Sequence, residues 1–289
     1  MSRSTIIAPR NVSETGQSKV LGFYTLRPMS KAVWQREELA TDPHRRGDKA
    51  EKVQAMFAAI AKAYDLNNRL HSFGLDQRWR RAAVAMAEVT AHDDVVDVAC
   101  GTGDLTQLFA DAGAKSVRGL DFTPQMLDIA RAKSARVQAV KIAKPTRKQA
   151  AVPTYEWGDA TALALADASV DVLSIAFGLR NVGDPRAALA EFRRVLRLNG
   201  RLVVLEFDEP RNSVIRALNR FYTHRVMPWS ASLIAGDTSG AYRYLPRSVE
   251  TFLNRDSLKS AMLSAGFASV QQRALTFGTC VVSCARVHG

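Results

Sequence analysis

The chain has 289 residues, 47% hydrophobic and 24% charged, which suffices for one large domain with a full core. No run approaches the roughly 20 consecutive apolar residues of a membrane-spanning helix, and three irregularly spaced cysteines (Cys100, Cys280, Cys284) fit neither a disulfide framework nor a zinc site. The net charge of +12 gathers in two acid-free patches, seven Lys or Arg between residues 129 and 155 and four arginines over 211–225, which do not form a continuous nucleic-acid track.

Residues 1–48 lack apolar periodicity and are rich in Ser, Arg, Pro and Gly, which predicts an irregular extension. Up to Lys31 it holds five basic residues and one acid, Glu14, a composition that fits an organellar transit peptide and a disordered bacterial extension equally. Over 48–64, Val53, Met56, Phe57, Ile60 and Ala61 recur at helical spacing, and a second helix over 76–89 follows the break at Gly74. From there short β-rich runs (95–99, 117–121, 155–157, 170–176, 202–207) alternate with helical stretches near 104–112, 124–135 and 185–197. That alternation predicts βαβ units and a parallel sheet with helices on both faces. Over 211–223, Val214, Leu218, Phe221 and Tyr222 share one side, with Arg216 and Arg220 opposite; such a stripe predicts a core face, the alternative being a basic amphipathic helix at an anionic membrane surface. A helix near 255–265 stops at Gly266, and the runs 269–274 and 279–287 lie too close together for anything but an antiparallel pair.

The most informative segment is 95–106, a buried strand running into Gly101-Thr102-Gly103 and then a helix. Glycines there allow positive φ and close approach of a ligand to the backbone at the carboxyl end of a strand. A dinucleotide turn needs a third glycine, and Thr106 holds that place. Asp97, an acid in an apolar run, either braces the turn or touches a ligand. Asp121 ends the next strand, before Phe122, 18 residues after Gly103, where a carboxylate can accept both hydroxyls of a ribose. Capping is better served by Thr123-Pro124. Asp159 and Ala160 follow the third strand, where a carboxylate and a backbone amide can meet an adenine edge; alone, Gly158-Asp159 is also an ordinary turn.

With these marks the sequence resembles the menaquinone and ubiquinone biosynthesis C-methyltransferases over residues 50–287. The resemblance rests on three narrower blocks: 64–74 with Arg78-Trp79-Arg80, Phe177-Gly178-Leu179-Arg180-Asn181 within 177–184, and 242–248. It implies an α/β class I S-adenosylmethionine-dependent methyltransferase fold, a Rossmann-like seven-stranded sheet with a terminal antiparallel hairpin. The catalytic domain is then 49–289, with 49–90 as a helical substrate or lid segment. The resemblance implies that Thr102, Asp121, Asp159, Ala160 and Ala176 line the S-adenosylmethionine site, with no metal. Ala176 replaces a frequent serine, and 134–153, longer and more basic than usual, reads as a surface insertion.

The implied chemistry is attack by a ring carbon of a reduced prenylated quinol, held in line about 3 to 3.5 Å from the methyl group with water excluded. Loss of a phenolic proton enriches that carbon. Arg180 and Asn181, past the fourth strand, are the candidates for stabilising the phenolate, against the plainer reading of a structural ion pair. Tyr64 is a candidate for orienting a hydroxyl or covering the cofactor, and His71 for the general base. Peripheral membrane contact, at which the 211–223 helix would admit the prenyl tail, and a homodimer are the remaining partner expectations, in the cytoplasm or, with a transit peptide, the mitochondrial matrix. No nucleic acid is expected, because an Asn/Asp-Pro-Pro-aromatic motif is absent after the fourth strand. A phenol O-methyltransferase, an RNA methyltransferase and a non-catalytic S-adenosylmethionine-binding subunit of a quinone-synthesis complex compete with this activity.

Overall fold

A run such as 170–176 is apolar on both faces, and only a sheet covered on both sides buries it. The computed structural model, which describes residues 32–143, 150–227 and 239–289, has that arrangement. Its strands are β1 (Asp94–Val98), β2 (Ser116–Asp121), β3 (Thr154–Trp157), β4 (Val170–Ala176), β5 (Leu196–Phe207), β6 (Ser269–Leu275) and β7 (Cys280–Arg286). Across the sheet they lie in the order β3-β2-β1-β4-β5-β7-β6. The first five are parallel, and β7 is antiparallel to both β5 and β6.

The helices are α1 (Arg36–Leu39), α2 (Lys49–Ile60), α3 (Tyr64–His71), α4 (Leu75–Ala87), α5 (Asp104–Ala112), α6 (Pro124–Ala143), α7 (Pro185–Val195), α8 (Ser213–Phe221), α9 (Ala241–Glu250) and α10 (Arg255–Ser264). Strand side chains alternate between two cores. Val96 and Val98 meet Leu173, Ile175 and Phe192 on one face; Val95 meets Val172, Val203, Phe109 and Trp79 on the other. α7 shows how the sequence sets a helix: Pro185 is its first residue and the Asp184 carboxylate accepts from the amides of Arg186 and Ala187. Strand order reverses between β1 and β4, so a crevice opens at their carboxyl ends.

The structure differs from the sequence reading in four places. Residues 32–48, read as part of an irregular extension, include α1, and Trp34 is fully buried with its ring stacked 4.6 Å from that of Tyr244; residues 1–31 lie outside the described residues. The first predicted helix is two, because a 3-10 turn (Ala61–Ala63) separates α2 from α3. α6 continues to Ala143, through half of the expected insertion, because 125–143 contains neither Gly nor Pro and is rich in Ala, Lys and Arg; residues 144–149 lie outside the described residues. Finally, the stripe on α8 is not a core face. Val214, Leu218 and Phe221 are 66%, 65% and 63% exposed, while Asn219 and Arg220 line a cavity. A helical moment reports that a helix has two sides, not which one the protein covers.

Candidate active site

Three residues of the turn after β1 have left-handed backbone: Ala99 (φ +50°), Gly101 (φ +56°) and Gly103 (φ +82°). The two glycines serve different ends. A Cβ at Gly103 would fall 2.6 Å from the Tyr155 hydroxyl, so this glycine makes room for a packed side chain. A Cβ at Gly101 would meet only Tyr64, at 3.9 Å, and Gly101 faces a cavity of 520 Å³.

Asp121, at the end of β2, lines that cavity. Its carboxylate accepts from the amides of Gly101 (2.7 Å) and Thr123 (2.8 Å), and burial pushes its pKa up against those bonds. Phe122, Asp159, Ala160 and Ala176 stand on the same wall. One Asp159 oxygen accepts from the amide and hydroxyl of Thr161, both at 2.8 Å. Asp97 and Thr102 stand elsewhere. Asp97 is 1% exposed, and its two oxygens accept from Ser174 and Thr106 at 2.6 Å each; burial pushes its pKa up to about 6. It braces the sheet to the start of α5. The Thr102 hydroxyl donates to Asp65 on α3 (2.6 Å). Lys133 of α6 also reaches Asp65 (2.7 Å) and pairs with Asp104, which Arg69 meets at 3.0 Å, so charges clasp α3 over the glycine turn.

A second cavity, of 280 Å³, lies beside the first, and Phe57, Tyr64, Phe177 and Asn181 belong to the walls of both. Phe57 and Tyr64 meet edge to face with centroids 5.9 Å apart. Arg180 and His71 also line the second cavity. Arg180 is largely committed: it pairs with Glu206 (2.6 Å), itself 1% exposed, and donates to the Phe177 carbonyl (2.7 Å). Its Nε is buried without a hydrogen-bond partner, and its guanidinium sits 5.1 Å from the Phe207 ring centre. The Asn181 amide donates to the Phe177 carbonyl (3.1 Å) and accepts from the Tyr244 hydroxyl (3.0 Å). His71 Nδ1 lies 2.8 Å from the Asn67 carbonyl, which can only accept, so Nδ1 is the donor in that bond. Sequence reasoning missed Glu206, although it is an acid in an apolar strand, the same signal that singled out Asp97. It also missed the shared wall, because Phe57 read as the apolar face of a helix and Phe177 was given no role within its block.

The sequence pattern of the ubiE/COQ5 methyltransferase family matches residues 45–286. The demethylmenaquinone methyltransferase of Deinococcus radiodurans is 44% identical over 232 residues, covering 80% of this chain and 90% of its own. That of Thermus thermophilus is 45% identical over 229 residues, 78% of this chain and 97% of its own. A ubiquinone/menaquinone biosynthesis C-methyltransferase from a Geobacter species is 39% identical over 239 residues, 81% and 96% of the two chains. Among solved structures, a SAM-dependent methyltransferase of Thermotoga maritima superposes with a TM-score of 0.54 at 19% identity, covering 81% of this chain and 99% of that one. At that identity the likeness is one of fold.

Proposed function

Because the chain belongs to the ubiE/COQ5 methyltransferase family, we propose that it methylates a ring carbon of a reduced prenylated quinol, demethylmenaquinol foremost, with S-adenosylmethionine as donor. The observation that carries this reading is the pair of cavities sharing one wall of Phe57, Tyr64, Phe177 and Asn181. A donor and an acceptor can each have a chamber and meet at the partition.

The 520 Å³ cavity suits the donor, since ligand sites run to about 300–1,000 Å³, and it offers acids where a nucleoside needs acceptors. Asp121 is assigned to the ribose hydroxyls, Asp159 and the Ala160 amide to the adenine, and Gly101 and Phe122 to close contact. Asp97 and Thr102 support that wall from behind. S-adenosylmethionine, when bound, supplies a methyl group already electrophilic on its sulfonium. The chain's own residues then exclude water, through the Phe57–Tyr64 pair, and manage a proton. His71, which lines the acceptor chamber, is the residue assigned to the phenolic proton, and Arg180 with Asn181 is assigned to the oxygen left behind.

The test is methyl transfer from labelled S-adenosylmethionine to chemically reduced short-chain demethylmenaquinol and its benzoquinol counterpart, beside the oxidised quinones and bulk RNA. Label on a ring carbon of a reduced quinol alone is the expected result and names the ring. Label in RNA, or in neither quinol, would sink the reading.

A prenylated acceptor lives in a bilayer, and no helix among the described residues is long and apolar enough to cross one. α8 reaches the acceptor cavity through Asn219 and Arg220 with its exposed stripe turned elsewhere, and just past its end the Tyr222 ring lies 5.7 Å from that of Phe73, which is 77% exposed. We assign this stripe to contact with the membrane surface. Replacing Val214, Leu218 and Phe221 together by serine is expected to weaken flotation with vesicles of 30% anionic lipid at least tenfold, since each side chain contributes ~1.5–3 kcal/mol when fully buried. Unchanged flotation overturns this assignment, as does conversion of a wild-type dimer to monomer, which would give the stripe to a second copy.

A further inference from the structure

Arg80, on α4, also lines the acceptor cavity, and its side chain is 9% exposed. A guanidinium has five N–H donors, yet among the described residues this one makes no side-chain hydrogen bond. Its Nε is buried without a partner. The nearest carboxylate, Asp76, is 3.9 Å away and already accepts from Ser72 (3.1 Å) and Gln77 (2.9 Å), with Arg69 at 3.8 Å. Its guanidinium also lies over the face of Phe177, 5.5 Å from the ring centre. Phe177 is part of the wall between the two cavities.

Arg180 provides the contrast. The two guanidinium groups lie against adjoining rings, Arg80 on Phe177 and Arg180 on Phe207, whose centroids are 4.7 Å apart. Arg180 is neutralised by Glu206 at 2.6 Å. Among the described residues Arg80 has a single carboxylate within 4.0 Å, at 3.9 Å, and donates no side-chain hydrogen bond. Buried cations are normally paired and hydrogen-bonded, so a donor set left open on a cavity wall points to an acceptor that arrives with a ligand.

We propose that Arg80 is the substrate-contacting residue that takes the oxyanion of the acceptor ring. It rests on the reading that the acceptor is a reduced quinol. As the phenolic O–H breaks, the electron pair stays on the oxygen beside Arg80 and the proton leaves to a base or to water. The charged groups around Arg80 are Asp76 on its own helix, Arg69 on α3, Asp97 on β1 and Asp104 on α5, with Arg180 on the adjoining ring. The acids are held by other partners, Asp97 by two hydroxyls and Asp104 by Lys133, Arg69 and Gln77.

The test uses the full chain with S-adenosylhomocysteine and 4-nitro-1-naphthol, whose phenolate is coloured. Wild type is expected to lower the apparent pKa of the bound naphthol by about one unit or more, the effect of a close opposite charge. Arg80→Met should abolish the shift and Arg80→Lys restore part of it. With reduced short-chain demethylmenaquinol, kcat/KM of Arg80→Met should fall ~100-fold, its pH profile moving to the alkaline side, while S-adenosylhomocysteine affinity holds. An unchanged naphthol pKa and pH profile would overturn the proposal. So would an equal loss of S-adenosylhomocysteine affinity, which would give the guanidinium to the donor's carboxylate. If Arg80→Met does not fold, Arg80→Lys carries the same comparison. If wild type methylates no quinol, the functional reading fails, and the naphthol titration still decides the role of Arg80.

Discussion

Asp121→Ala is expected to weaken S-adenosylmethionine binding ~100-fold or more in a calorimetric titration. Two effects add. A ribose diol would make hydrogen bonds to a charged acceptor, each worth about 1.5–3 kcal/mol, and both would be lost. The same carboxylate also holds the amides of Gly101 and Thr123. Without it the glycine turn loses the contact that ties it to β2. Asp121→Asn separates the two, because the amide keeps the shape but turns one acceptor into a donor facing an N–H. Its affinity should fall nearly as far as that of the alanine variant, with less loss of stability. Affinity within threefold of wild type in both variants would remove Asp121 from the donor site and leave it as a brace.

The second large effect is on stability. Glu206 and Arg180 form an ion pair with side chains 1% and 7% exposed, and Glu206 also accepts from the amide of Phe207 at 2.9 Å. Removing one partner of such a pair leaves an uncompensated charge in the core and costs about 3–5 kcal/mol. Glu206→Leu should therefore lower Tm by roughly 6–20 °C in a domain of this size. Replacing both partners, Glu206→Leu with Arg180→Met, should recover most of the loss, because an apolar pair of similar volume is about neutral. Thermal denaturation of the two single variants and the double variant reads this directly. Additive losses would mean that the two residues act independently. The double variant also isolates chemistry from folding: a stable protein that binds donor but turns over slowly would leave Arg180 a part in the reaction.

Much of the fold is legible because period and punctuation are local. Strand β4 has the ends that its apolar run predicts, and the close spacing of the last two runs forces β6 and β7 to pair antiparallel. Gly101, Asp121 and Asp159, which line the larger cavity, are legible for a related reason, since strand ends in a parallel sheet come to one edge. The acceptor side is not legible in this way. Its wall joins α2, α3 and α4 to the loop after β4 and to α9, segments far apart in sequence, and no short-range pattern reports which of their side chains face one another. Arg80 lies within a block that the resemblance singled out, yet nothing in that block reports which groups its guanidinium meets. The outward turn of α8 is likewise set by what surrounds it and not by its own spacing.

The partition between the two chambers has a kinetic consequence. Phe57, Tyr64, Phe177 and Asn181 are lining for both, so an occupant of either chamber restrains side chains that the other must fit around. By linkage the influence is mutual: whatever factor the donor contributes to acceptor affinity, the acceptor returns to the donor. On the proposed assignment of the chambers, demethylated donor and methylated ring are expected to leave as coupled events, with inhibition by one product depending on the concentration of the opposite substrate.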